Sequence, residues 1–434
     1  MRGLGKTFSC VVVAANVLAT APAFADANDL VVSLANRGVT LLGSYTGEAA
    51  ANVDGGQRQG AAFAGQLLVG ADVNLQTMAG LTGTTLHVAV TNRHGQNLAD
   101  DFIGNSTSVQ EIYGGENTRL ARLTIEQSLL DGRLVLEGGR TVANISFLGS
   151  ELCLYFQTNS ACGNPTFVFR TSAFTFWPVS SWGGHALAWL SPTTYLHAGV
   201  YEVNEKHVSN TDYGFDWSTS GSTGVIVPFA VGLQTTFANS RLPRRYEIGG
   251  WYDSSTYTDP LLAANGSFAA VTGQPYATQR GRSGGFVRFE QMVWRPDPAS
   301  ERGLTVFGVA MTGTSGQLTQ DRFLELGFVL RGTFRDRDDD TIGFVINQQS
   351  YSGIQMLNWT LARAAAGGTG TPFSSQIMTE LSYGIQLGRN IRVQPNVQYI
   401  IHPDQSNQPA RLNNLPNAFV IGLRFDVDLV GLAR

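Results

Sequence analysis

The sequence predicts an all-β fold, a transmembrane antiparallel up-and-down β-barrel of about 16 strands with long outer loops and short periplasmic turns. Two patterns predict it: apolar and polar residues alternate along the chain, and long connections alternate with short ones. The composition agrees, because only 14% of the 434 residues are charged and the mean hydropathy is -0.03. No apolar run in the expected mature chain reaches the roughly 20 residues of a membrane helix.

The N-terminus has the features of a secretory signal peptide that spans residues 1–25. Arg2 and Lys6 form a basic start, an apolar stretch follows, and Ala23-Phe24-Ala25 is a small-residue cleavage site. Cleavage there leaves residues 26–434 as the expected mature barrel domain.

Two cysteines, Cys153 and Cys162, remain in the expected mature chain. Export places them in an oxidising compartment, so we predict one disulfide that closes a short loop. Two free thiols are the alternative.

Alternation with period two is the main evidence for strands. Between residues 63 and 75 the odd positions are mostly apolar, whereas the even positions include Gln66 and Asp72. The same pattern recurs over residues 121–126, 324–331 and 419–429. A membrane barrel turns the apolar face to lipid and the polar face to a wet lumen, while a soluble sandwich buries the apolar face. Alternation alone is therefore also compatible with a secreted soluble β protein.

Connection lengths favour the membrane barrel. Strands are predicted over residues 38–49, 63–75, 84–92, 119–129, 132–141, 184–191, 194–204, 224–237, 243–254, 284–294, 303–313, 321–334, 340–350, 376–387, 391–402 and 416–429. Connections after odd strands are mostly long, and connections after even strands are short, as outer loops and periplasmic turns would be. The connection 142–183, of about 42 residues, is too long for a simple link, and we predict that it is the constriction loop.

Composition and motifs exclude several function classes. The net charge of -4 argues against a nucleic-acid partner. The sequence contains no CxxC, HExxH, GxSxG or Walker pattern, and its six histidines lack metal-ligand spacing. We therefore expect no metal, no cofactor and no enzymatic activity, because no nucleophile, histidine and acid can be placed together.

Short motifs spread over nearly the whole mature chain occur in a characteristic order. They include Ser44-Tyr45-Thr46-Gly47-Glu48, Asn52-Val53-Asp54-Gly55-Gly56, His94-Gly95, Ile103-Gly104-Asn105, Gly139-Arg140, Cys162-Gly163-Asn164-Pro165, Gly249-Gly250-Trp251-Tyr252-Asp253 and Gln394-Pro395-Asn396-Val397-Gln398-Tyr399. Together they resemble the OprB family of carbohydrate-selective porins. The resemblance implies a bacterial outer-membrane pore that admits monosaccharides such as glucose by diffusion, with small sugars and outer-membrane lipid as partners. Whether the barrel is single or a homotrimer stays open.

Arginine and carboxylate side chains recur two to four residues apart on the polar phase of the predicted strands. The pairs are Arg122 with Glu126, Arg133 with Glu137, Arg245 with Glu247 and Arg288 with Glu290. A guanidinium beside a carboxylate offers sugar hydroxyls both donors and acceptors with little net field. We predict that these residues line the pore and that Arg140 is the best single eyelet donor.

Two alternatives to this lining remain. In the first, the paired side chains are satisfied only by one another on the barrel wall and have no part in sugar recognition. In the second, the positive charge of the arginines outweighs the negative charge of the carboxylates, which would predict an anion-preferring porin for organic acids or phosphate.

Overall fold

The computed structural model describes residues 21–162 and 165–434. The sixteen strands are β1 (Val39–Asp54), β2 (Gly60–Asn74), β3 (Thr84–Gly95), β4 (Thr118–Leu129), β5 (Leu134–Thr141), β6 (Ser181–Trp189), β7 (Thr194–Asn204), β8 (Ser222–Thr235), β9 (Arg244–Ala263), β10 (Tyr276–Trp294), β11 (Gly303–Ser315), β12 (Gln320–Arg331), β13 (Thr341–Tyr351), β14 (Ser375–Leu387), β15 (Ile391–Ile401) and β16 (Ala418–Asp428). The helices are α1 (Ala21–Asn36), α2 (Leu75–Ala79), α3 (Ala143–Ser146), α4 (Pro165–Thr171), α5 (Ala269–Thr272), α6 (Gly353–Ala365) and α7 (Leu429–Leu432).

Each strand pairs antiparallel with its neighbours in sequence, and β1 pairs with β16 to close the barrel. The predicted all-β, up-and-down barrel of 16 strands is therefore confirmed. The predicted connection 255–283 is shorter than expected, because β9 and β10 continue as a hairpin in which Ala263 still pairs with Tyr276. Among the described residues, no helix is long and apolar enough to cross a membrane.

The barrel is apolar outside and polar inside. Val69, Leu326 and Ile421 lie on the outward phase of their strands and are 53%, 56% and 50% exposed. Glu48 and Glu380 lie on the inward phase and are both 0% exposed. This burial pattern is the reverse of a soluble sandwich and is what a wall between lipid and a polar lumen requires.

Both chain ends of the described barrel domain pack at the periplasmic side of β1. Helix α1 lies against β1, and α7 follows β16 directly. Asp428 caps α7 by accepting a hydrogen bond from the Gly431 amide (2.9 Å). Residues 1–20 lie outside the described residues, so the signal peptide 1–25 stays a prediction.

Candidate functional site

The connection between β5 and β6, residues 142–180, crosses the lumen. Its Gln157 and Thr158 amides donate to the Glu380 carboxylate of β14 at 2.8 and 2.6 Å. Its Phe147 ring stacks on His197 of β7, with ring centroids 3.9 Å apart. Strands β7 and β14 are seven strands apart around the barrel. A segment that contacts the inward faces of both must lie inside the barrel.

A second connection, residues 96–117 between β3 and β4, also enters the lumen. Gln110 donates from Nε2 to the Glu48 carbonyl of β1 (2.8 Å), and the Ile112 amide donates to the Glu48 carboxylate (3.2 Å). The two inward connections bond to each other, because the Glu111 amide donates to the Gln157 carbonyl at 2.7 Å. Sequence reasoning identified only the longer of the two as a constriction element.

A buried charge cluster holds both inward connections at the seam where the barrel closes. Arg424 of β16 lies in register with Glu48 of β1, and their side chains are 2.9 Å apart. Arg424 also pairs with Asp426 (3.0 Å) and lies 3.5 Å from the Glu111 carboxylate. Buried charges are tolerated only when they are paired in this way. The cluster therefore fixes Glu111 at a defined place in the lumen.

Two cavities lie on either side of a common set of residues. The outer cavity has a volume of about 200 Å³ and the inner cavity about 440 Å³, and both are lined by Arg93, Glu111 and Trp177. We call these three residues the eyelet. Gln66 of β2 joins two of them, because its Oε1 accepts from Arg93 Nε at 2.7 Å and from Trp177 Nε1 at 3.2 Å.

The cavity linings combine both signs of charge with aromatic rings. Four arginines and three carboxylates line the inner cavity: Arg93, Arg389, Arg392, Arg424, Glu111, Asp426 and Asp428. The outer cavity adds Phe169 and Phe176, whose stacked rings are 4.9 Å apart. Tyr113 adds a phenol hydroxyl to the outer lining. Burial, reinforced by nearby Glu116, raises the pKa of this hydroxyl above its usual value. Such a surface suits a neutral ligand rich in hydroxyl groups.

The predicted arginine and carboxylate residues pair across strands more than along them. Arg122 pairs with Glu137 of β5 (2.6 Å), which also accepts from Thr124 (2.6 Å). Glu126 instead lies 3.7 Å from His87 Nε2. The predicted pairings of Arg122 with Glu126 and of Arg133 with Glu137 therefore need correction. Glu137 lies opposite Glu126 in the register of β4 and β5, so Arg122 reaches it diagonally across the two strands.

In the other predicted group, directly opposed positions on neighbouring strands are paired. Glu247 accepts from Arg245 Nη2 (2.9 Å) and forms an ion pair with Arg288, which is its register partner on β10. Glu290, predicted as the partner of Arg288, lies opposite Arg245 in the register. Both arginines also donate to the Gly149 carbonyl, at 3.3 Å from Arg245 and 2.5 Å from Arg288. This group thus holds the tip of the 142–180 connection against the wall.

Two predicted lining residues lie elsewhere. Arg133 is exposed in the turn between β4 and β5. Arg140 is 0% exposed and lies in register with Leu123 and Trp182 on the outward phase. Strand phase places alternate residues on opposite faces, and the inward Glu137 is three residues away from Arg140. Arg140 therefore does not face the lumen, and neither residue is retained in the lining that we propose.

The predicted disulfide between Cys153 and Cys162 cannot be placed, because the Cys162 side chain lies outside the described residues. Cys153 Sγ is 3.9 Å from the carbonyl of Ala161, the residue before Cys162. The disulfide stays a prediction.

A closed membrane barrel whose polar lumen is narrowed by inward connections defines a porin. The match to known families is more specific. The family model described as "Carbohydrate-selective porin, OprB family" matches residues 58–429, and the chain belongs to that family. It is therefore an outer-membrane channel protein of the sugar-porin class and not an enzyme.

Relatives agree with this assignment over most of the chain. Porin B of Pseudomonas aeruginosa is 28% identical over 406 residues, which cover 90% of this chain and 87% of the relative. Putative porin QuiX of Acinetobacter baylyi is 26% identical over 411 residues, covering 90% and 89%. The high pH structure of Pseudomonas putida OprB has a TM-score of 0.82 at 27% identity, covering 91% of this chain and 95% of that chain.

Proposed function

We propose that the protein mediates passive, diffusive entry of monosaccharides such as glucose, and that the eyelet selects them. The supporting observation is that the outer and inner cavities meet at Arg93, Glu111 and Trp177. A pyranose has apolar ring faces and a rim of hydroxyls. An indole suits the faces, while a guanidinium and a carboxylate offer donors and acceptors to the rim.

The predicted wall residues take different parts in this proposal. The side chains of Arg122 and Arg245 are 20% and 21% exposed, and we infer that they line the path. Their partners Glu137 and Glu247 are almost fully buried and orient them. By the same criterion Glu126, whose side chain is 32% exposed, also lines the path. Arg288 and Glu290 are left as supporting wall groups.

Charge balance separates the sugar porin from the anion-preferring alternative. The inner lining carries four arginines against three carboxylates, so the net field on a permeating ion is small. We expect reversal potentials in planar bilayers to show a weak preference for anions, together with sugar-dependent block of the current. Strong anion selectivity without sugar block would overturn the proposal in favour of an organic-acid or phosphate pore.

Liposome swelling with a panel of sugars tests the proposal directly. Monosaccharides should enter faster than disaccharides and faster than organic acids of similar size. Glu111→Gln removes one charge of the eyelet and should change both the sugar rates and the ion preference. Glu301→Gln removes the same charge from the turn between β10 and β11, outside both cavities, and is the matched control, with rates close to those of the unmodified protein.

A further inference from the structure

The connection between β7 and β8, residues 205–221, folds down over the outer ends of the neighbouring strands. The Leu120 amide of β4 donates to the Tyr213 carbonyl at 2.9 Å. Trp182 of β6 donates from Nε1 to the Trp217 carbonyl (3.0 Å), and the two indole rings are 5.8 Å apart. Trp182 belongs to the outward phase of β6. The segment, which we call the outer strap, therefore covers part of the outside of the barrel.

A buried polar cluster fastens the outer strap to the wall. His207 Nε2 is 3.2 Å from Arg140 Nη1, and His207 Nδ1 is 2.6 Å from the Asp212 carboxylate. Glu202 of β7 lies 3.7 Å from the same imidazole. Arg140 and His207 are 0% and 2% exposed. Buried charges and imidazoles need such partners. The cluster therefore holds the strap in one position, and it explains why Arg140 is buried although it lies on the outward face of the barrel.

The opposite side of the outer strap is apolar. Tyr213, Phe215 and Trp217 are 55%, 59% and 44% exposed, within five consecutive residues. Exposed aromatic clusters of this kind mark interaction surfaces. Through Trp182 this patch is continuous with the lipid-facing wall of the barrel. Aromatic side chains of membrane barrels concentrate at the level of the lipid headgroups.

We propose that the outer strap is a lipid-contacting surface that seats Tyr213, Phe215 and Trp217 in the headgroup region of the outer leaflet. The occupant is bilayer lipid because the patch continues a wall that already faces lipid. The polar cluster around His207 keeps the rings at that depth. This role is separate from permeation, since neither cavity is lined by residues of the strap.

The test places an environment-sensitive fluorophore on the strap of the full chain in liposomes. Phe215→Cys is labelled in a background with Cys153→Ser and Cys162→Ser. The matched control is Leu412→Cys, which is 48% exposed in the connection between β15 and β16. Lipids brominated near the headgroup should quench the label at position 215, and in unmodified lipid this label should emit at a shorter wavelength than the label at position 412. The label at position 412 should respond to aqueous iodide instead.

Two other results would overturn the lipid assignment, and a third would overturn the role of the polar cluster. Quenching of the position-215 label by iodide alone would place the strap in water. If protection of the position-215 label from iodide increases with the protein-to-lipid ratio, the patch contacts a second copy of the chain instead of lipid. A lipid response that persists in full after His207→Ala would remove the fastening role of the cluster. If the serine background does not fold, Trp217→Phe in the unmodified chain should lower the fraction of tryptophan emission quenched by brominated lipid; an unchanged fraction would contradict the proposal.

Discussion

Replacing Trp177 with alanine should weaken sugar block of the pore current by about 2- to 12-fold. Trp177 is the one aromatic residue of the eyelet and borders both cavities. Its orientation is fixed by hydrogen bonds from Nε1 to Gln66 (3.2 Å) and from its amide to Asn144 (2.9 Å). An aromatic ring in a well-oriented stack contributes about 0.5–1.5 kcal/mol, and 1.4 kcal/mol corresponds to tenfold in affinity.

The assay is a titration of glucose against single-channel current in planar bilayers, with the half-blocking concentration as the readout. Trp177→Phe keeps an aromatic face and loses the bond to Gln66, so its shift should be smaller than that of Trp177→Ala. Trp294→Ala removes an exposed ring outside both cavities and serves as the control. Only variants that show heat-modifiable migration on a gel, and are therefore folded, are compared. An unchanged half-blocking concentration in folded Trp177→Ala would refute the role of the eyelet.

Four further predictions concern residues that stabilise the barrel and its inward connections. Glu380→Gln weakens charge-assisted bonds of about 1.5–3 kcal/mol to the inward connection and should increase current noise. Arg140→Met should lower the temperature of heat modification but leave sugar block unchanged; altered block would contradict its outward position. Reduction should make Cys153 and Cys162 reactive to maleimide and raise current noise, whereas labelling without reductant would disprove the disulfide. Asp340→Asn should lower the unfolding midpoint at neutral pH, and this difference should shrink in acid, below about pH 3.9.

The pH dependence at Asp340 follows from its bonding in the turn before β13. Burial acts to raise the pKa of Asp340, but hydrogen bonds from Arg337, Tyr383 and the Gln386 amide outweigh it and hold the pKa below its usual value. A carboxylate with a lowered pKa stabilises the fold above its unfolded pKa, and the stabilisation is lost as the pH falls through the folded value. A difference that grows in acid would contradict this assignment.

The architecture could be predicted from the sequence because each strand carries its own two-residue pattern. The alternation over 63–75 fixed which side chains face lipid, and Val69 is indeed exposed on that face. Every predicted strand corresponds to one of the sixteen strands. Helix α6, in contrast, was not expected, because it lies in an outer connection where no barrel pattern constrains the chain.

The site was less accessible to sequence reasoning because it depends on contacts between distant segments. Pairing along one strand suggested Arg288 with Glu290, whereas the register of β9 and β10 brings Arg288 to Glu247. Arg93 and Glu111 carry no local pattern that separates them from other charged residues. The available signal was length: residues 96–117 form a long connection, and long connections inside a barrel are candidates for narrowing the lumen.

The position of the Glu48–Arg424 pair links selectivity to assembly. These residues belong to the first and last strands, 376 positions apart in sequence, and meet only across the β1–β16 seam. Because Arg424 also approaches Glu111, the eyelet acquires its final charge arrangement only when the barrel has closed. A chain that is inserted but still open at the seam has no finished filter. Sugar block is therefore also a measure of correct closure, and it distinguishes completed barrels from leaky intermediates.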